Sequence, residues 1–310
     1  MKGAKSMDPH LVVFKAVADK RSFSQAARSL HISQPAISLQ IQSLEENLGT
    51  RLFDRNNKRV VLTQSGKIFY KFVTQILELY GQAQKEISEL TGLVKGKVKI
   101  GASLTIGEYV LPKVAGHFVK EHPEVNISID IANTEDVIGC LLTNTLDIAL
   151  VEGSVKHSDL IQEKFMDDEL VVITPFDHPW AKRDFIPIDS LLSQPFVSRE
   201  NGSGTRQIME KRLAECNIDF EDLHIAMELG STQAIKEAVE VGLGVSIISK
   251  WAIKKDLKYN NLGMTRIENS NFVRDFYLVY NKHHFLTQAT ETLIKLLKSD
   301  KLKNIIEAKL

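Results

Sequence analysis

The stretch SFSQAARSLHISQPAISLQIQSLEENLGTRLFDRNNKRVVLT, residues 22–63, restricts the fold of this chain more than any other segment. Ala26, Ala27 and Leu30 are small or apolar at helical spacing, so a short helix there can lie close against a neighbour. His31 and Ile32 turn the chain. Ser33 is placed to N-cap the next helix, because its hydroxyl can accept from free amides one turn in, and Pro35 in that first turn gives up no needed donor. A helix from Gln34 follows, with Ile37, Ile41, Leu44 and Leu48 on one core-facing stripe. Its opposite face carries Gln34, Pro35, Ser38, Leu39 and Gln42. Where a wet surface helix would carry Lys and Glu, these short or amide side chains can donate and accept along a base-pair edge. Arg51, Arg55, Lys58 and Arg59 then bracket Asn56-Asn57, a pair suited to a hairpin turn, with residues 60–63 as the return strand. Upstream, Leu11, Val12, Phe14, Ala16 and Val17 predict a helix capped by Asp8 that completes a three-helix core. The whole predicts a winged helix-turn-helix over residues 7–65. Ser33, Gln34, Pro35, Ser38, Leu39 and Gln42 are its candidate base-reading residues, and Arg55, Lys58 and Arg59 its candidate phosphate or minor-groove contacts. Residues 1–6 precede a second methionine, Met7, and are set aside from the fold reading.

A nucleic-acid partner asks for positive charge, yet the formal net charge is zero. Residues 1–96 nonetheless carry 14 Lys/Arg against 8 Asp/Glu, so the cationic surplus sits with the helix-turn-helix and phosphate attraction is local to it.

From Gln64 one long helix is predicted, over residues 66–94 as a linker, with Phe69, Val73, Ile76, Tyr80, Ala83, Ile87, Leu90 and Val94 alternating in steps of four and three. That is a heptad seam. At ~1.5 Å per residue it extends about 40 Å, too far to be buried on the small domain alone, so a second copy of the chain is its simplest partner. A two-fold dimer would present two reading helices to inverted half-sites.

Residues 95–310 alternate strand and helix, which predicts an α/β domain with largely parallel strands. Lobe I is expected at about 95–166 and 270–310, and lobe II at about 167–269. Ligands in such sheets bind past strand C-termini, where helix N-termini offer amides. Four turns qualify: Ser103-Leu104-Thr105, Asn133-Thr134, the run Glu200-Asn201-Gly202-Ser203-Gly204-Thr205-Arg206, and Gly230-Ser231-Thr232. They predict a pocket for a small anion, held by amides and hydroxyls, with Arg206 supplying charge. Ser103, Thr105, Thr134, Gly202, Ser203, Thr205, Arg206, Ser231 and Thr232 are the candidates. A Ser or Thr at a helix start also serves as a cap, and Thr105 with Glu108 matches a capping box.

Cys140 and Cys216 are the only cysteines and form no C-x-x-C pair, and the nine histidines show no ligand spacing, so neither a disulfide framework nor a metal site is expected. Cys140, in an apolar helical stretch, is expected to be buried. Cys216, near a helix end, is a candidate redox sensor. No apolar run reaches membrane-spanning length and the start has no signal-peptide pattern, so a cytoplasmic protein with no membrane partner is expected.

Residues 22–66, SFSQAARSLHISQPAISLQIQSLEENLGTRLFDRNNKRVVLTQSG, resemble the DNA-binding domain of the LysR-type transcriptional regulators, and the order of later segments fits that family to the chain's end. The resemblance implies an α/β protein overall: a winged helix-turn-helix, a linker helix and a two-lobed effector domain like that of periplasmic binding proteins. It implies a homodimer or homotetramer on double-stranded promoter DNA, responsive to a small-molecule effector, with no cofactor. Promoter activation, with RNA polymerase as a contact, is the expected direction. SRENGSGTR is most similar to a branch that includes regulators of sulfur assimilation and carbon fixation. The competing classes are an α/β enzyme and a solute-binding protein with an auxiliary DNA-binding domain. Nucleophile elbow, P-loop and zinc patterns are missing for the first, and an export signal for the second.

Overall fold

The computed structural model describes residues 8–30, 32–54, 60–91, 93–268, 272–282 and 286–307, without the side chains of 84, 85, 88, 89 and 91. The chain divides into two compact units, Met1–Leu93 and Val94–Leu310. Among the described residues no helix is long and apolar enough to cross a membrane.

The first unit is built from α1 (Pro9–Lys20), α2 (Phe23–Leu30), α3 (Gln34–Leu48), β1 (Phe53–Asp54), β2 (Val61–Leu62) and α4 (Gln64–Thr91). Asp8 caps α1 by accepting from the His10 amide, and Ser33 caps α3 by accepting from the Ala36 amide. The core gathers Phe14 and Val17 of α1, Ala26 and Ala27 of α2, and Ile37, Ile41 and Leu44 of α3. Phe14 packs its ring against Phe53 and Phe69, so the strand pair and α4 close the same core. Leu48 does not join it. Gly49, in the left-handed region at φ 65°, ends α3 immediately afterwards and leaves Leu48 exposed. β1 and β2 form a two-residue antiparallel ladder, Phe53 opposite Leu62. Arg55, Lys58, Arg59 and the Asn56-Asn57 turn lie outside the described residues.

The heptad seam expected on α4 stands exposed over its middle and is taken into the cores of the two units at its ends. Val73 is fully buried in the first unit's core, with Phe69, Tyr70 and Leu77 packed beside it, because the opening turns of α4 complete the helix-turn-helix. Val94 belongs instead to the second unit's core. Ile76, Tyr80, Ile87 and Leu90 of the expected seam stand exposed, the last at 88%, with Ile68, Phe72 and Leu79 exposed beside them.

The second unit comprises β3 (Gly96–Ser103), a π-helical turn Ile106–Val110 running into α5 (Leu111–Glu121), β4 (Val125–Ala132), α6 (Thr134–Leu142), β5 (Ile148–Glu152) and β6 (Leu160–Pro175). It continues through β7 (Phe185–Ile186), β8 (Pro195–Arg199), α7 (Gly204–Glu215), β9 (His224–Leu229), α8 (Thr232–Glu240) and β10 (Ser246–Ser249). α9 (Lys254–Tyr259), β11 (Leu262–Ile267), β12 (Val273–Asn281), α10 (Gln288–Leu297) and α11 (Lys301–Glu307) complete it. The main sheet runs β4-β3-β5-β12-β6-β11-β7, with β10 also on β6. It is mixed and not largely parallel. β3 pairs in parallel with β4 and β5, but β12 is antiparallel to both β5 and β6, and β10 and β11 are antiparallel to β6.

The sixteen-residue β6 is the reason. Its first part pairs with β12 in lobe I, and its last residues pair with β10 and β11 in lobe II, so β6 and β12 carry the chain between lobes. Each lobe keeps its own apolar clusters, Phe118 and Phe276 at the centre of one and Phe196 with Leu213 in the other. Cys140 is exposed on α6, contrary to the buried position expected of it, because Val137 and Leu141 take the helix's inward face.

Candidate functional site

On α3 the apolar stripe and the polar face separate cleanly. Ile37 and Ile41 are fully buried, whereas Ser33, Gln34, Pro35, Leu39 and Gln42 are exposed and Ser38 is half-buried between them. Leu39, 66% exposed, is a large apolar side chain held in water on that face, as a thymine-methyl contact would require. Two one-turn hydrogen bonds order the amides: Gln34 Nε2 donates to Ser38 Oγ at 3.3 Å and Gln42 Nε2 donates to Glu46 Oε1 at 2.9 Å.

A residue that sequence reading missed ties the strand pair to this helix. Glu45 Oε1 accepts from the backbone amides of Leu52 at 2.7 Å and Phe53 at 3.1 Å. Thr63 locks the other side. Its Oγ1 donates to the Arg51 carbonyl at 2.7 Å and accepts from the Gly66 amide at 3.0 Å, capping α4. The base of the hairpin is thus fixed against both α3 and α4.

In the second unit a polar cluster fills the junction of the lobes. Arg274 on β12 stands directly opposite Asp168 on β6, where the two strands cross between lobes, and its Nε meets Asp168 Oδ2 at 2.7 Å. Its Nη1 reaches Glu152 Oε2, at the end of β5, at 2.6 Å and Thr205 Oγ1 at 2.9 Å, while Nη2 donates to Thr105 Oγ1 at 3.3 Å. Glu152 also accepts from Ser103 Oγ at 3.1 Å and from Thr205 Oγ1 at 2.9 Å. Asp168 accepts from Ser249 Oγ at 2.7 Å. Ser103, Thr105 and Glu152 come from lobe I and Thr205 and Ser249 from lobe II, so one guanidinium and two carboxylates bridge them.

Burial acts in the same direction on the two carboxylates, and their partners answer it unequally. Burial works against the charged form of Glu152, but Arg274 and the hydroxyls of Thr105 and Thr205 outweigh it and hold the carboxyl below its ordinary value. At Asp168 burial prevails over Arg274 and Ser249, the nearby Glu152 charge adds to it, and the carboxyl is pushed up.

Beside this cluster α6, α7 and α8 all begin. Asn133 Oδ1, Ser203 Oγ and Ser231 Oγ cap them by accepting from the amides of Asp136, Arg206 and Ala234. Ser203 and Ser231 are therefore caps, and Thr205 and Thr232, the residues inside the helices, turn their hydroxyls to buried charges. Thr105 does not form the expected capping box: it makes no side-chain cap, and its hydroxyl faces Arg274. Thr134 Oγ1 is buried without a hydrogen-bond partner. A Cβ at Gly204 would come 2.8 Å from that oxygen and 2.9 Å from Glu152 Cβ, so only glycine lets the lobes meet here. Gly202 adopts φ 83° at the same contact.

Arg206, expected to supply the charge of the crevice, is paired with two glutamates. Its guanidinium binds Glu210 at 2.7 Å and Glu228 at 2.5 Å and lies over the Phe220 ring. The buried cation near the helix starts is Arg199, whose Nη1 donates to Thr232 Oγ1 at 3.3 Å while Nε and Nη2 grip Glu200 at 2.7 and 2.9 Å. Glu152, Asp168, Arg199 and Arg274 were missed by sequence reading, although Glu152 is the one charge in the otherwise apolar β5. Among the described residues no group of three His, Cys, Asp or Glu is placed to hold a metal.

Residues 9–67 match the family "Bacterial regulatory helix-turn-helix protein, lysR family", and residues 91–301 match "LysR substrate binding domain". The chain is 36% identical over 290 residues to the HTH-type transcriptional regulator CysL of Bacillus subtilis, covering 94% of this chain and 96% of that one. It is 34% identical over 300 residues to a probable RuBisCO transcriptional regulator of Phaeodactylum tricornutum, covering 96% and 97%. The solved regulatory domain of Synechocystis CcmR in complex with 2-PG superposes with TM-score 0.61 at 28% identity, covering 66% of this chain and 96% of that domain. A full-length OxyR variant of Pseudomonas aeruginosa shares the fold at TM-score 0.65 and 23% identity, over 99% and 97%.

Proposed function

Because the chain belongs to the LysR family of helix-turn-helix transcriptional regulators, we propose that it reads promoter DNA through Ser33, Gln34, Pro35, Ser38, Leu39 and Gln42, with Arg55, Lys58 and Arg59 of the wing on phosphate or in the minor groove. The observation that carries this is the face of α3: two glutamines, a serine and a solvent-held leucine stand opposite the buried Ile37, Ile41 and Leu44. The exposed seam of α4 pairs two copies as a homodimer, or as the unit of a tetramer, placing two α3 helices on inverted half-sites. The linker is residues 66–94 and the effector domain 95–310.

The effector is a small anion bound in the lobe crevice, between the starts of α6, α7 and α8. Arg199 supplies the charge, and Ser103, Thr105, Thr134, Gly202, Ser203, Thr205, Ser231 and Thr232 form the walls. Support comes from the orphaned Thr134 hydroxyl, from the buried Arg199 and from the 2-PG bound to the CcmR regulatory domain. An effector acts by binding two arrangements of the oligomer unequally. Kinship with CysL and with RuBisCO regulators favours genes of sulfur or carbon assimilation as targets, switched on through contact with RNA polymerase in the cytoplasm. No cofactor takes part.

The test is a footprint of the full chain on its own promoter region. Wild type should protect inverted half-sites, and the combined Gln34→Ala, Ser38→Ala and Gln42→Ala variant should lose them while remaining folded. Unchanged protection would remove α3 from the interface. Calorimetry with 2-PG should show binding that Arg199→Ala abolishes.

A further inference from the structure

Gln42 is the base-reading candidate furthest along α3, and its amide is not free to turn. A terminal amide can present either its oxygen or its NH2 group to a base, and the two choices read different bases. At Gln42 the choice is made by Glu46, one turn on. An ionised carboxylate only accepts, so the 2.9 Å contact from Gln42 to Glu46 Oε1 forces the NH2 group toward Glu46 and the carbonyl oxygen away from it. The neighbouring acid, Glu45, cannot compete, because its Oε1 already accepts from the Leu52 and Phe53 amides. Both Gln42 and Glu46 are exposed on the face that carries Gln34, Ser38 and Leu39, so the arrangement stands in the free protein before any DNA is met.

We infer that Glu46 is a positioning residue that fixes the Gln42 amide to read a base with an exocyclic amino group, adenine above all; the inference rests on the reading that α3 enters the major groove. With one N–H held by Glu46, the amide keeps an outward oxygen and a second N–H. That pair complements adenine, whose N6 donates and N7 accepts, and the oxygen alone suits the N4 amino group of cytosine. Guanine and thymine offer acceptors at the corresponding positions and are disfavoured. An unanchored glutamine would turn to accept any of these partners and would also lose more rotamer freedom on binding. Glu46 therefore narrows specificity without touching DNA, and its negative charge costs some phosphate affinity.

The experiment is selection from a randomised duplex library by the full chain, comparing wild type, Gln42→Ala, Glu46→Ala and Glu46→Gln, with circular dichroism confirming that each is folded. Wild type should show one position in each half-site preferring adenine by about tenfold, the scale of a good bidentate contact. Gln42→Ala and Glu46→Ala should both flatten that position to below about threefold. Glu46→Gln keeps a carbonyl acceptor and loses the charge, so it should retain the preference while binding all sequences more tightly. If Gln42→Ala flattens the position and Glu46→Ala does not, the positioning role is wrong and the reading of α3 stands. If both Glu46 variants flatten it equally, charge and not orientation is responsible and the inference falls. A preference for guanine or thymine at the Gln42 position overturns it as well. A Gln42→Ala profile identical to wild type removes Gln42 from the interface, taking the inference and that part of the α3 reading with it.

Discussion

On α3 the polar side chains stand in water, spaced along one face of a helix whose other face is buried. At the lobe junction Glu152, Asp168 and Arg274 are enclosed and satisfied almost entirely by one another and by hydroxyls, and Arg199 is enclosed with Glu200 and Thr232 as its partners. The first arrangement keeps its hydrogen-bonding capacity for a partner, and the second has spent most of it on holding two lobes in one geometry. A reading surface and a responsive hinge therefore differ in where a substitution is felt. Truncation on α3 should change recognition and leave folding alone, whereas truncation at the junction should change folding before it changes response.

Arg274→Ala would break this contrast most sharply. It leaves Glu152 and Asp168 as neighbouring buried carboxylates without a counter-ion, at a cost of roughly 3–5 kcal/mol. The expected result in differential scanning calorimetry is a lowered or lost transition for the second unit, with the first unit's transition unmoved. A second-unit transition within a degree of wild type would show that the cluster does not hold the lobes. Acid titration sharpens the same point. Glu152 is held below its ordinary 4.5, so its contribution is complete above that value and is lost as pH falls through the folded-state value. Asp168 is pushed up from 3.8, so its share runs the other way: folding takes up protons there, and stability falls as pH rises from 3.8 through the folded value. Glu152→Gln should flatten the acid-side loss of stability, and Asp168→Asn should remove a slope of opposite sign. Superimposable pH curves for wild type and Glu152→Gln would contradict the assignment.

The same contrast decides what can be seen in the chain before the fold is known. α3 is legible because a helix face repeats every three to four residues and its cap, turn and partner hairpin are local in sequence. The seam on α4 is half legible: the apolar period is plain, but Phe69 and Val73 differ from Ile68 and Phe72 only in having a domain to pack against. The crevice is legible as four helix starts and illegible as a charge cluster. Arg274 and Asp168 are brought together by strands a hundred residues apart, and the register of β6 on β12 is a tertiary property. The long β6 shows only its apolar end in the sequence, because its first half alternates charges with half-buried residues.

Smaller effects probe each region where it most resembles the other. Gly204→Ala places a methyl against Thr134 and Glu152 and should cost about 1–3 kcal/mol by overpacking, while shifting the lobes apart enough to weaken 2-PG binding in calorimetry. Full affinity with reduced stability would separate packing from the ligand site. Glu45→Ala is the counterpart on the DNA-reading unit, where a polar residue of α3 is committed to structure. It strands the Leu52 and Phe53 amides at about 1–3 kcal/mol, and faster hydrogen exchange at those two amides should report it directly. Exchange unchanged at both would mean that the hairpin is held by Thr63 alone.

The smallest expected effect separates Arg206 from Arg199, of which sequence spacing points only to the first. Arg206 follows the glycine-rich turn and is the natural candidate for an anion site, but its partners Glu210 and Glu228 are substantially exposed, and pairs of that kind are worth about 0–1 kcal/mol. Arg206→Ala should therefore move the melting temperature slightly and leave 2-PG affinity where it was. Arg199→Ala removes a buried guanidinium from Thr232 and Glu200 and should abolish that affinity. If the two variants weakened 2-PG equally, the carboxylates around Arg206 would have to release it on binding. The distinction between a solvated ion pair and an enclosed site would then fail between two arginines on neighbouring elements of the second unit.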